Sequence, residues 1–403
     1  MMKNLSNLSL HPVPGIRLGT ACAGIKKPDH RDLVIIEIAE GGQTAAVFTQ
    51  NAFCAAPVIV AREHLAMTAP QYLLVNTGNA NAGTGEAGLA DVRACCQALA
   101  AAAECPAEAV LPFSTGVIGE RLPVDKITLA IPAALEKLEA SAWEEASWGI
   151  LTTDTKPKCF SSKLEIDGQV VTLTGMAKGA GMIRPDMATM LAYLATDAEI
   201  DAVDLQGCLK DAVEQSFNRI TIDGDTSTND ACLLIATGKS GLRLKPGNAG
   251  FDTFSQALKA LCVELAKAVV RDGEGATKLI NIEIMSGASK AECLEVAYTI
   301  AHSPLVKTAF FASDPNWGRI LAAIGRAPVS KLDLGKARIF LDEVCIVEQG
   351  GRSPGYTEEQ GQQVMARDEI NVRVELGRGE AQANVWTCDF SYDYVRINAE
   401  YRT

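Results

Sequence analysis

The sequence predicts an α/β protein with layered β-sheets flanked by helices and a smaller α/β domain at its C-terminal end. Short apolar runs, such as residues 33–38 and 72–75, have the length and composition of buried strands. Longer segments with helical periodicity, such as residues 202–217 and 251–270, alternate with those runs. The 403 residues are enough for two or three domains, and strand-like sequence resumes beyond a soft boundary at residues 280–290.

The predicted elements alternate along the whole chain. A turn at Gly41-Gly42 predicts that the first two strands form a hairpin. Pro132 is placed in the first turn of a helix, where its missing N–H is tolerated, and residues 350–355 are predicted to form a mobile loop. Strands are expected at residues 33–38, 45–49, 57–61, 72–75, 190–194, 232–237, 280–285, 370–376 and 381–387, a hairpin at residues 159–173, and helices at residues 91–103, 131–138, 202–217, 251–270 and 290–302.

Composition and charge exclude several classes of protein. The net charge of -12 argues against nucleic acid as a partner, because such binding needs a basic surface, and it gives no help at an anionic membrane. The twelve cysteines include no CxxC pair and the four histidines show no metal-ligand spacing, so no metal site is expected. Residues 1–14 lack the features of a signal peptide, and no apolar run approaches the roughly 18 residues of a membrane span. A cytoplasmic location is therefore expected.

Two segments that resemble ligand loops are assigned to ordinary backbone structure. Residues 83–88 match GxGxxG, but the second strand with an acidic ribose ligand that a dinucleotide site requires is not found. Residues 221–230 carry three aspartates without the glycine and distal glutamate of a calcium loop. A tight turn and a structured loop are predicted instead.

The segment around Thr189 has the layout of a self-cleaving N-terminal nucleophile. Pro185 ends any preceding helix, and Ala188-Thr189 stands directly before the apolar run at residues 190–194. Attack of the Thr189 hydroxyl on the Ala188 carbonyl, followed by hydrolysis of the ester, would free an α-amine. Such an amine has a pKa of roughly 7.7–8.0, so it can act as general base for its own hydroxyl. A threonine that merely begins a strand is the alternative.

Three other segments have a chemical and an ordinary interpretation. Thr115-Gly116 can place an O–H and a backbone N–H against a developing oxyanion, although Thr-Gly is also a common turn. Glu274 lies between two glycines, which allow the backbone to approach another group closely. The hydroxyl-rich residues 150–158 would otherwise form an exposed loop with capping residues.

Residues 178–197 resemble the cleavage-site signature of the ornithine acetyltransferase family, the acetyl-recycling enzymes of arginine biosynthesis. The resemblance extends over essentially the whole chain and includes the Ala-Gly-Ile-Lys and Phe-Thr-Gln-Asn segments within residues 15–51. Asp186 departs from the pattern, because many members have Asn there. The resemblance implies a fold of the self-processing N-terminal nucleophile type.

The resemblance also implies a role for each candidate residue. Thr189 would be the nucleophile and, through its amine, the base, with cleavage between Ala188 and Thr189. Thr115 and Gly116 would hold the oxyanion. The implied substrate-binding residues are Thr189, Lys178, Glu274, Thr152 with Thr153 as its near alternative, Asn398 and Thr403.

The implied reaction moves acetyl from N2-acetylornithine to glutamate, giving ornithine and N-acetylglutamate, and leaves open whether acetyl-CoA is also a donor. No cofactor or metal is implied, because an acetyl–threonine ester would carry the group. Cleavage would give an alpha chain of residues 1–188, with residues 189–285 completing the catalytic domain and residues 286–403 forming the smaller one. The two fragments would stay associated, as a heterotetramer of two alpha and two beta chains.

The same sequence observations are compatible with two other functions. A hydrolase of this architecture, such as an aminopeptidase, would use the same Thr189 chemistry but release its product without depending on an acceptor amine. A non-catalytic ligand-binding protein would remain an uncleaved, inactive chain.

Overall fold

The computed structural model describes residues 10–26, 29–184 and 190–401, and its chain divides into two units. The first unit comprises the described residues within Met1–Gly179, Pro185–Asn218 and Thr226–Val269. The second comprises Ala180–Arg184, Arg219–Asp225 and the described residues from Val270 onwards. Each unit combines strands and helices, so the predicted α/β class is confirmed. None of the helices in the described ranges combines the length and the apolar character that crossing a membrane requires.

The first unit contains two sheets. Their strand orders are β1-β2-β4-β5 and β3-β9-β8-β7-β6. The strands are β1 (Ile16–Ala21), β2 (Leu33–Ile38), β3 (Gln43–Phe48), β4 (Tyr72–Asn79), β5 (Val110–Val117), β6 (Lys158–Ile166), β7 (Gln169–Lys178), β8 (Leu191–Thr196) and β9 (Ala231–Ala236). The helices are α1 (Ala56–Met67), α2 (Gly85–Ala102), α3 (Val124–Leu135), α4 (Trp143–Gly149), α5 (Ala202–Glu214) and α6 (Ala249–Arg271), whose last residues belong to the second unit.

The two sheets of the first unit are stacked through one apolar cluster. Val75 and Phe113 of the four-stranded sheet belong to the same cluster as Met176 and Tyr193 of the five-stranded sheet. The rings of Phe113 and Tyr193 meet edge to face, with their centroids 5.4 Å apart. The predicted layering of sheets is therefore confirmed.

Helices cover the outer faces of these sheets. Leu99 of α2 and Ile127 of α3 belong to a second cluster with Ile35 and Leu74 of the four-stranded sheet. On the other sheet, Gly175 of β7 leaves room for Leu261 of α6. The resulting order is helix, sheet, sheet, helix.

The second unit is smaller and has one six-stranded sheet, ordered β13-β12-β11-β14-β10-β15. Ile282 of β10 and Val372 of β14, two adjacent inner strands, pack against Val296 and Ile324 on two helices. Its strands are β10 (Leu279–Gly287), β11 (Arg338–Leu341), β12 (Val344–Glu348), β13 (Gly351–Arg352), β14 (Glu369–Glu375) and β15 (Ala381–Cys388). Its helices are α7 (Lys290–Ala301), α8 (Pro304–Phe311), α9 (Trp317–Gly325), α10 (Glu358–Met365) and α11 (Tyr392–Ala399).

The hairpin predicted at Gly41-Gly42 is wrong. Both strands exist, but β2 pairs with β1 and β4, whereas β3 pairs with β9 in the other sheet. The turn therefore passes the chain from one layer to the next. A local glycine signal cannot show which partner a strand takes when the better partner is distant in sequence.

The strand predicted at residues 57–61 is also wrong, because this segment lies in α1. Pro57 occupies the first turn of that helix, where no intrahelical N–H bond is needed. The buried residues Val60, Ala61 and His64 repeat at helical spacing. The run Val-Ile-Val has high strand propensity, and burial of one helical face overrides it.

Two smaller predictions are corrected. Pro132 lies inside α3 rather than in its first turn, because Ile127, Ile131 and Ala134 form the buried face and extend the helix towards its N-terminus. Gly351 and Arg352, predicted to be in a mobile loop, form a strand that pairs with β12.

Candidate active site

Strands β4 and β5 run parallel, and their C-terminal ends lie side by side. Thr77 is the register partner of Thr115, and Gly78 is the partner of Gly116. Behind them, Asn229 donates through Nδ2 to the carbonyl oxygen of Ser114 at 2.9 Å. Its side chain is buried, and the same amide nitrogen donates to the loop after β4. Asn229 thus fixes the backbone that leads into the predicted oxyanion pair, a role that sequence reasoning missed.

Glycine is the residue type that fits at position 116. Its φ is +137°, in the region that favours glycine. A Cβ there would lie 2.2 Å from the carbonyl carbon of Gly78, and both are backbone atoms that cannot rotate away. The close approach of the two strand ends therefore depends on the absence of a side chain at residue 116.

Replacing Gly116 with alanine is expected to lower the melting temperature and to disrupt the strand end. Overpacking and a strained φ each cost on the order of 1–3 kcal/mol. Gly119→Ala is the matched control, because Gly119 also has positive φ (+86°) but its Cβ would meet open space. Thermal melts of both variants should show the larger loss for Gly116→Ala, and equal losses would contradict the steric argument.

Lys178, at the end of β7, brings three predicted residues together. Its Nζ donates to Thr115 Oγ1 at 3.2 Å and to Thr152 Oγ1 at 3.0 Å. Of the two alternatives Thr152 and Thr153, Thr152 is the one that accepts this hydrogen bond from Lys178. An ammonium group and two hydroxyls therefore converge at the end of β5, where they can bind an anion or stabilise an oxyanion.

Asp154 is the partner of this lysine that sequence reasoning missed. Its carboxylate is fully buried and lies 2.7 Å from Lys158 Nζ and 3.9 Å from Lys178 Nζ. Burial by itself raises the pKa of Asp154, but the two lysine charges and the hydrogen bonds lower that pKa to about 2. The sequence does show an Asp and a Lys four residues apart, Asp154 and Lys158. However, a polar run of this kind gives no indication that its side chains are buried.

Asp230 is a second buried carboxyl group in this unit. It immediately precedes β9, and the next residue, Ala231, donates its N–H to the carbonyl oxygen of Met190. Burial raises the pKa of Asp230 well above its usual range, against the opposing effects of a hydrogen bond with Ser227 and of the Lys178 charge. Among the described residues its Oδ2 has no hydrogen-bond partner.

In the second unit, the structure brings Glu274 and Asn398 together. Nδ2 of Asn398, on α11, donates to Glu274 Oε2 at 2.7 Å, and the Glu274 N–H donates to the carbonyl oxygen of Ala180 at 2.7 Å. Gly181 leaves the space for this carboxylate, since a Cβ there would lie 2.5 Å from Oε2. The glycine at 275 packs against Ser391 in the same way.

The aspartate-rich loop also has a defined role in this unit. Asp223 accepts from the backbone N–H groups of Met182 and Ile183, at 2.6 and 2.9 Å. Thr221 donates through Oγ1 to the carbonyl oxygen of Ile183 at 2.9 Å. Residues 182 and 183 are therefore held by two side chains of one loop.

The predicted residues Ala188, Thr189 and Thr403 lie outside the described residues. Within the described ranges, no three His, Cys, Asp or Glu side chains come together in a way that could hold a metal ion.

The sequence model of the ArgJ family matches residues 17–403. The chain belongs to the ArgJ family. This match confirms the predicted membership of the ornithine acetyltransferase family and covers both units of the fold.

Relatives with high identity span the whole chain. The arginine biosynthesis bifunctional protein ArgJ of Methylococcus capsulatus is 60% identical over 402 residues, which cover 100% of this chain and 98% of that protein. The protein of the same name from Pseudomonas syringae is 56% identical over 397 residues, which cover 98% of each chain.

Two solved structures are also similar. The arginine biosynthesis bifunctional protein of Bacillus halodurans is 40% identical, with a TM-score of 0.48, and the match covers 50% of this chain and 95% of that one. An ornithine acetyltransferase of Mycobacterium tuberculosis, solved in complex with ornithine, is 37% identical, with a TM-score of 0.41, and the match covers 44% of this chain and 94% of that one.

Proposed function

We propose that this enzyme of arginine biosynthesis transfers an acetyl group from N2-acetylornithine to glutamate through an ester on Thr189. The relatives that span the whole chain are bifunctional proteins of arginine biosynthesis. The observation that supports the chemistry most directly is the position of the Lys178 ammonium group between the hydroxyls of Thr115 and Thr152. An acyl transfer needs cationic and hydroxyl donors of this kind where negative charge develops.

In the proposed reaction, the free α-amine of Thr189 takes the proton of its own hydroxyl. The Thr189 oxygen then forms a bond to the acetyl carbon, and the bond from that carbon to the ornithine nitrogen breaks as the nitrogen gains a proton. Glutamate next attacks the ester through its amine, giving N-acetylglutamate and restoring the hydroxyl.

Thr115 and Gly116 are proposed to stabilise the negatively charged oxygen of both tetrahedral intermediates. Lys178 donates to the oxygen of the Thr115 hydroxyl, so the Thr115 proton is available to the oxyanion. The backbone N–H of Gly116 would be the second donor. The Gly78–Gly116 contact and the Asn229 hydrogen bonds fix this strand end, which limits reorganisation during the reaction.

Charge complementarity supports the proposed binding roles. Donor and acceptor both carry an α-carboxylate, for which Lys178 and Thr152 provide a cation and a hydroxyl. Glu274, paired with Asn398, is proposed to face the side-chain ammonium of ornithine. Thr403, the last residue, is proposed to complete the binding of substrate.

Initial-rate measurements should give parallel double-reciprocal plots at several glutamate concentrations, because one nucleophile can hold only one acetyl group at a time. Brief exposure to N2-acetylornithine alone should release ornithine and leave the Thr189 fragment heavier by one acetyl group in an intact-mass measurement. Converging plots without an acetylated fragment would contradict an ester intermediate.

The same assay distinguishes a hydrolase, which would release acetate at a rate independent of glutamate. Replacing the donor with acetyl-CoA measures whether that compound also acylates the enzyme. The heterotetramer of two alpha and two beta chains and the cytoplasmic location are further proposals. Native mass spectrometry and cell fractionation test them.

A further inference from the structure

Asp154 connects several groups of the candidate site through one carboxylate. It lies on the loop between α4 and β6. Its Oδ1 accepts from the backbone N–H of Gly179 at 2.7 Å and from Lys158 Nζ at 2.7 Å. Its Oδ2 accepts from the backbone N–H of Thr152 at 3.1 Å and lies 3.9 Å from Lys178 Nζ.

The two lysines of this cluster lie at different distances from the carboxylate. Lys158 Nζ is 2.7 Å from Asp154, whereas Lys178 Nζ is 3.9 Å from it. The side chain of Lys158 is 2% exposed, whereas that of Lys178 is 11% exposed. Lys178 is therefore the more distant and the more exposed of the two ammonium groups, the one that an incoming anion can reach.

The carboxylate also fixes the backbone on both sides of the site. It holds the N–H of Thr152, whose hydroxyl accepts from Lys178, and the N–H of Gly179, the residue that follows Lys178. A buried, charge-assisted network of this kind restricts the rotamers of the groups that it joins. Lys178 and Thr152 thus share one anchor.

We propose that Asp154 is a positioning residue that holds Lys178, Thr152 and the Gly179 backbone in the arrangement that receives the α-carboxylate of each substrate. This inference rests on the proposed function, in which both substrates are bound through that carboxylate. Asp154 acts through its neighbours and does not touch the substrate.

The proposal predicts that loss of Asp154 affects KM more than kcat. The oxyanion pair Thr115-Gly116 belongs to β5, whose end is fixed by Asn229 and by the contact with Gly78. Asp154 reaches this pair only indirectly, through the hydrogen bond from Lys178 to Thr115 at 3.2 Å. Binding of the shared carboxylate should weaken for donor and acceptor alike, because the same cation and hydroxyl serve both.

The test variant combines Asp154→Asn with Lys158→Met. It removes one negative and one positive charge together, so that Lys158 is not left buried without its carboxylate. The expected result is a folded protein in which the KM values for N2-acetylornithine and for glutamate each rise about tenfold, the scale of one lost charge-assisted hydrogen bond. The decrease in kcat should be smaller than the rise in KM.

Asp197→Asn is the matched control. Asp197 is another buried carboxylate, accepts from the Thr172 N–H at 2.7 Å, and lies at the opposite end of the β7–β8 pair. Its loss should leave both KM values within about twofold of the wild-type values.

Wild-type KM values for both substrates in the cleaved, cooperatively melting double variant would overturn the proposal. If the wild-type protein does not transfer acetyl, the proposed function fails separately, and calorimetric titration with glutamate then decides the positioning role by the same tenfold criterion. If the double variant does not fold, Asp154→Asn alone is judged by the same ratios.

Discussion

Replacing Thr189 with alanine is expected to give a single uncleaved chain with no measurable transferase activity. The variant loses the hydroxyl that attacks the Ala188 carbonyl, so neither the ester nor the free α-amine can form. Denaturing gel electrophoresis and intact-mass measurement would show one chain, whereas the wild-type protein should give two fragments, the second beginning with Thr189. N-terminal sequencing establishes the cleavage point.

Thr189→Ser is the control for this experiment, because serine keeps both the hydroxyl and, after cleavage, the amine. It should still be cleaved and retain part of the activity. A Thr189→Ala protein that is cleaved at residue 189, or that transfers acetyl as an intact chain, would exclude this nucleophile.

Replacing Thr115 with alanine is expected to lower kcat by roughly 10²–10³-fold, the effect of losing one oxyanion donor. Lys178 keeps its contacts with Thr152 and Asp154 in this variant, so substrate binding should change less than kcat. Steady-state kinetics of the cleaved protein measure both quantities. Cleavage itself should be slower, because it passes through a similar tetrahedral intermediate.

Thr77→Ala provides the comparison for Thr115→Ala. Thr77 is the register partner of Thr115 on β4, is buried, and also loses a hydroxyl in the variant. Its kcat should stay close to the wild-type value if the effect is specific to Thr115. An unchanged kcat in folded, cleaved Thr115→Ala would make Thr115-Gly116 an ordinary strand end.

Local sequence patterns predicted those elements whose signal lies within the element itself. The apolar run at residues 33–38 became β2, and the helical periodicity at residues 251–270 became most of α6. The pairing of β3 with β9 joins residues that are 183 to 193 positions apart. No local signal specifies such a partner, because it depends on how whole layers pack.

The candidate site likewise contains residues that the sequence indicated and residues that only the structure revealed. The resemblance indicated Thr115, Thr152 and Lys178 as site residues. In the structure, Lys178 donates a hydrogen bond to each of the two threonines. The role of Asp154 was not predicted, because it depends on the burial of the carboxylate and not on the residue type. The role of Asn229 was not predicted either, since its amide donates hydrogen bonds to backbone groups of residues far away in sequence.

The strand order of the five-stranded sheet has a consequence for a chain cut before residue 189. In the order β3-β9-β8-β7-β6, the strands β9 and β8 come after the cut and stand between β3 on one side and β7 on the other, which come before it. Six residue pairs join each of the two boundaries. The two pieces are therefore interleaved and cannot dissociate without breaking both ladders at once. The first unit of such a nicked protein should melt in one cooperative transition, and fragments made separately could not assemble by docking preformed halves.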